Sequence, residues 1–143
     1  MVGAAMTPWL IDSRFCTDAN ADLLRLLRSR DLSAHSDVSE ELIRSGADVA
    51  GVQHYCPDPA HYAFVALHLD DSTIIGLAFG LSHLTFRLPE HRVPEAVRDG
   101  GAVDTELGPA WVRFEPWTDQ ETLVESRRRL ARWCAVAARA HPA

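Results

Sequence analysis

Residues 82–88 read Ser-His-Leu-Thr-Phe-Arg-Leu, with polar and apolar side chains in strict alternation. A period of two marks a strand with one buried face, so Leu84, Phe86 and Leu88 point to a core while His83, Thr85 and Arg87 point away. Residues 110–115 repeat the pattern, with Val112 and Phe114 inward and Trp111, Arg113 and Glu115 outward. Three more runs are strand-like: 49–56, closed by Pro57-Asp58-Pro59; 61–69, nearly all apolar and closed by Asp70-Asp71-Ser72; and 73–79, closed near Gly80. The short break at 70–72 predicts a hairpin, and 102–104 predicts a short edge strand.

The period changes to that of a helix elsewhere. Leu23, Leu24, Leu26, Leu27 and Leu32 recur at helical spacing behind the capping residues of 17–20, and residues 1–16 read as irregular. A second short helix is expected from Ser36 or Asp37, with Asp37 and Glu40 spaced as a capping box and Gly46 as its stop. Pro94 suits the first position of one helical turn over 94–98. Thr118 and Glu121 form a T-x-x-E box before a long last helix with a stripe of Leu123, Leu130, Cys134, Ala137 and Ala138. Helices, then strands, then a helix predicts one α+β domain over residues 1–143. Its antiparallel sheet has about five strands, with N-terminal helices and a long C-terminal helix packed on one face. The segregated order excludes a doubly wound α/β fold.

Composition adds exclusions. The formal net charge is −6, which disfavours nucleic acid as a partner. All 14 basic residues are Arg, so no lysine is present for a Schiff base, a phosphate-binding loop or an S-x-x-K nucleophile. The three cysteines, Cys16, Cys56 and Cys134, form no C-x-x-C pair and imply a reducing, cytoplasmic setting. No secretory signal is expected at the N-terminus, and no apolar run reaches membrane-spanning length.

Two constellations carry candidate chemistry. If the strands at 82–88 and 110–115 lie close, His83, Arg87, Trp111, Arg113 and Glu115 share an open sheet face. An aromatic plate beside two guanidiniums suits a small planar anion; the alternative is a solvated face with cross-strand Arg–Glu pairs. The second group is His54, Cys56 and His61, with His68 nearby. His54 and Cys56 share one face of a strand, and His61 follows across the Pro57–Pro59 turn, a spacing able to hold a metal ion. The alternative is turn-end histidines beside a small buried Cys. Asp70-Asp71 reads as turn chemistry, and nothing activates Cys56 as a nucleophile. Arg127, Arg128, Arg129, Arg132 and Arg139 make the last helix locally basic, with glutamates at salt-bridging distance along it. No dinucleotide, P-loop, nucleophile-elbow or H-E-x-x-H motif occurs.

The run Phe64-Val65-Ala66-Leu67, the ladder His83-Leu84-Thr85-Phe86-Arg87-Leu88, the segment Gly108-Pro109-Ala110-Trp111-Val112-Arg113-Phe114 and a closing helix with Leu130 and Ala131 follow in order. From residue 49 onward this pattern resembles the YjbR-like (MmcQ/YjbR) family and, more distantly, the N-terminal domain of TfoX-type proteins. The family's Lys-containing strands have no counterpart here. The resemblance implies a compact α+β domain, with nucleic-acid binding suggested for some members, and it supplies no catalytic residue.

The reading from sequence is a non-catalytic binding or interaction domain of bacterial type, contacting a small anion or a protein through that sheet face. The alternatives are a metal protein or small enzyme built on His54, Cys56 and His61, and a nucleic-acid-binding domain. A homodimer through free sheet edges is a further expectation. No cofactor is indicated.

Overall fold

A computed structural model describes residues 12–28, 33–57, 64–116 and 122–140. Its elements are α1 (Ala21–Arg28), α2 (Ser36–Gly46), β1 (Gln53–Tyr55), β2 (Val65–His68), β3 (Ile74–Phe79), β4 (His83–Arg87), α3 (Val93–Arg98), β5 (Ala102–Val103), β6 (Trp111–Phe114) and α4 (Leu123–Arg139). All sheet pairs are antiparallel, and the six strands are ordered β1-β2-β3-β4-β6-β5. The α+β architecture is the one the periodicity implies. Strand cores fall inside the expected runs, and β2 and β3 form the expected hairpin, where Asp71 Oδ1 accepts the Thr73 N–H.

One sheet face carries α2 and α4, which pack on each other. Val38 and Leu42 of α2 and Leu130, Trp133, Cys134 and Ala137 of α4 meet Leu84, Phe86, Leu88, Val112 and Phe114, all buried. Gly76 makes this close approach feasible, because a Cβ there would lie 3.3 Å from Phe86 and 3.4 Å from Leu42. A bulge shifts the β2–β3 register so that Leu67 pairs with Gly76 and His68 with Ile74. The extra residue, Ile75, joins the α2 side while Ile74 faces the other way.

The second face is covered too. Phe15, Leu23, Leu24 and Leu27 pack over Phe64, Ala66, Ile74, Leu77, Phe79 and Trp111. The first helix therefore lies on the opposite side of the sheet from α2 and α4, rather than on one shared face. Asn20, fully buried, fastens it: its Nδ2 donates to the Phe15 and Ser72 carbonyls and its Oδ1 accepts the Ile74 N–H. The continuous apolar character of β2 and β3 follows from this two-sided burial.

Two helix starts differ from expectation. His35, not Asp37, caps α2, its Nδ1 accepting the Asp37 N–H. Thr122 caps α4, accepting the Glu125 N–H, so the T-x-x-E box in use is Thr122–Glu125. Thr118 and Glu121 lie outside the described residues. With this start Leu123 is exposed, and Trp133 is the large apolar anchor of the helix.

Candidate functional site

The register brings the expected face together. Thr85 pairs with Arg113 and Arg87 with Trp111, so His83, Thr85, Arg87, Trp111 and Arg113 line one side of β4 and β6. Glu115 follows just beyond the strand and is exposed. The face is not open, however, and that expectation is corrected: His83 and Trp111 each retain only 6% of their accessible surface. The N-terminal segment covers it from one side and the turn after β5 from the other. In that turn the Asp104 carbonyl accepts the Leu107 and Gly108 N–H groups, Gly108 adopts φ +130°, and Leu107 folds into the core beside Trp111.

A groove of about 210 Å³ remains where the two covers meet. Asp18, Ala19, Asp22, Arg87, Leu107 and Trp111 are among its lining residues. Arg87 closes one end by donating from Nη1 to the Ala19 carbonyl at 2.9 Å. Asp18 and Asp22 are exposed on the rim, and Asp22 also pairs with Arg25 at 3.3 Å. Two carboxylates thus face one guanidinium that is already engaged.

Deeper on the same face, the buried Asp104 accepts from His83 Nε2 at 2.5 Å. The imidazole stacks on Phe79, with ring centroids 3.8 Å apart. Asp104 Oδ1 accepts the Glu106 N–H at 3.1 Å and the Leu107 N–H at 3.3 Å. Burial pushes the Asp104 carboxyl up, but the His83 hydrogen bond, its charge and the two backbone donors outweigh burial and hold it below the usual Asp value. Glu106 stands exposed beside the pair, and ligand-capable atoms of His83, Asp104 and Glu106 all lie within 4.8 Å of one another. Two buried atoms, Thr85 Oγ1 and Arg113 Nε, have no hydrogen-bond partner among the described residues.

Asp104 is the residue that sequence reading missed. Its one local signal is turn chemistry, an Asp followed four residues later by Gly after a short edge strand.

The second constellation is partly visible. His54 is exposed on β1, Cys56 is half-buried against the α2-side core, and His61 lies outside the described residues. Neither His54 nor Cys56 belongs to a described group of three or more metal-capable side chains. His68 pairs opposite Gln53, next to the His54–Leu67 pair, and so occupies the other face. It is buried against Phe15, and its Nδ1 donates to the Leu69 carbonyl at 2.9 Å. Burial pulls its pKa below the ordinary 6.5. Asp70 accepts from Gln53 Nε2, consistent with turn residues rather than a catalytic pair.

The arginines of α4 are largely engaged across the fold. Arg127 makes a forked contact with the buried Glu41, and Arg129 and Arg132 both reach Asp99. Their charge is thereby offset by carboxylates on α2 and at the end of α3. Both sheet edges are short, three residues in β1 and two in β5, which leaves little ladder for strand pairing between copies. Among the described residues no helix is long and apolar enough to cross a membrane.

No family model matches the chain, and comparison with curated proteins and with solved structures finds no match either. The YjbR-like resemblance therefore rests on its strand pattern alone.

Proposed function

We propose that this domain is a small-ligand binding module whose site is the groove between the N-terminal segment and the β4–β6 rim. One observation carries the reading: Arg87 and Trp111, two residues singled out by strand alternation, meet there with Leu107, Asp18 and Asp22 around a cavity of about 210 Å³. An apolar floor with a few converging polar groups is the usual make-up of a ligand site, and this volume, below the common range of roughly 300–1,000 Å³, selects a small molecule.

Charge moves the ligand class away from the anion expected from sequence. An anion would meet the Asp18 and Asp22 carboxylates and a guanidinium already hydrogen-bonded to Ala19. A small aryl amine fits better, with its ammonium group between the carboxylates and its ring on Leu107 and the Trp111 edge. Calorimetry with a set of small aryl amines and the matched aryl carboxylates tests this. The amines bind and the carboxylates do not, and Asp22→Asn weakens amine binding severalfold. Binding of the carboxylates alone, insensitive to Asp22→Asn, refutes the charge argument.

A further inference from the structure

The His83–Asp104–Glu106 cluster is separate from the groove floor and makes a different demand. We propose that it binds a divalent transition-metal cation. One imidazole and two carboxylates offer three ligand atoms within 4.8 Å of one another. This mixed nitrogen and oxygen set suits zinc, manganese, iron or cobalt better than calcium or magnesium, whose sites are built from oxygen alone. Of the two guanidiniums on this face, Arg87 is engaged by the Ala19 carbonyl, and the Asp104 and Glu106 carboxylates supply the negative charge a cation needs.

The geometry is close to what such an ion needs. A tetrahedral metal about 2.0–2.2 Å from each ligand atom holds them about 3.3–3.6 Å apart. His83 Nε2 and Asp104 Oδ2 stand 2.5 Å apart and Glu106 offers an oxygen within 4.8 Å of both, so side-chain shifts of about 1 Å let an ion take the place of the hydrogen bond. Asp104 is aimed by the Glu106 and Leu107 amides on its other oxygen, and His83 is fixed by its stack on Phe79. Outer contacts of this type orient ligands and sustain affinity. Glu106 is exposed, so it both completes the set and gives the ion a path from solvent. Thr85 Oγ1, fully buried and without a partner among the described residues, lies two residues along the same strand face and can accept from metal-bound water.

The test uses the full chain and the metals alone. Cobalt(II) titration followed by absorbance and zinc titration by calorimetry should each show one ion per chain. Glu106→Gln, an exposed change that leaves the core intact, should weaken binding about tenfold or more. Because His83 is buried and its variants can misfold, its role is read in the native protein, as broadening of the His83 ring protons by substoichiometric manganese. No binding at about 1 mM metal, corresponding to a Kd beyond millimolar, overturns the proposal. So does binding that Glu106→Gln leaves intact and His54→Ala or Cys56→Ser removes.

Discussion

Replacing Asp104 tests how the covered sheet face is held. In Asp104→Asn the side chain keeps its shape, and its oxygen can still accept the Glu106 and Leu107 N–H groups. The charge-assisted bond from His83 is lost. The loss is that of one buried charged hydrogen bond, about 1.5–3 kcal/mol. Asp104→Ala removes all three bonds and leaves the Leu107 amide, which is buried, without its side-chain acceptor. The cost exceeds that of Asp104→Asn by the two lost backbone-to-side-chain bonds, about 0.5–1.5 kcal/mol each. Urea unfolding at pH 7 reads both values from the midpoint at constant m. The gap between wild type and Asp104→Asn also depends on pH. The folded Asp104 pKa lies below its ordinary value, so its contribution is complete above about pH 4 and fades as pH falls through the folded value. Equal midpoints for wild type and Asp104→Asn at pH 7, or a gap that persists undiminished at pH 2, would refute the reasoning.

Three further predictions concern buried groups elsewhere. The lowered pKa of His68 means that the unfolded chain takes up a proton first as pH drops below 6.5, so stability falls on acidification; His68→Gln should flatten the loss that sets in below 6.5, seen in unfolding curves at successively lower pH. Burial pushes the Cys134 thiol up to about 12, so in native protein a thiol reagent should label the exposed Cys16 quickly and Cys134 only at the rate of unfolding, as peptide mapping over time would show. A Cβ at Gly101 would sit 2.5 Å from Val112 Cγ1 and 3.0 Å from the Ala96 carbonyl, so Gly101→Ala should cost about 1–3 kcal/mol by chemical denaturation, despite being the smallest possible substitution.

The strands and their inward faces were legible because alternation at 82–88 and 110–115 is unambiguous, and Leu84, Phe86, Leu88, Val112 and Phe114 all occupy the α2–α4 core. The same alternation located His83, Arg87, Trp111 and Arg113 on a common face. What it could not convey is that this face is roofed. Polar side chains read as solvated, yet His83 finds Asp104 and Arg87 finds the Ala19 carbonyl, partners 21 and 68 residues away. Such pairings depend on where a turn and an N-terminal segment fold back, which local periodicity does not encode. A hint was present in β2 and β3: with Val65, Leu67 and Ala78 on one side and Ala66, Leu77 and Phe79 on the other, apolar residues on both faces require cover on both. Helix starts were misread for a related reason. Asp37 and Glu40 match a capping box by spacing, but the cap is His35, a residue whose imidazole nitrogen serves as the acceptor.

The proposed groove is tested most directly by where a ligand touches the protein. An amide-resolved NMR titration of the labelled chain with the aryl amine set should move Asp22, the 107–110 turn and the Trp111 indole, the lining of the groove. Shifts confined to β1 or to the outer face of α4, or a spectrum unchanged across the whole amine set, would contradict it.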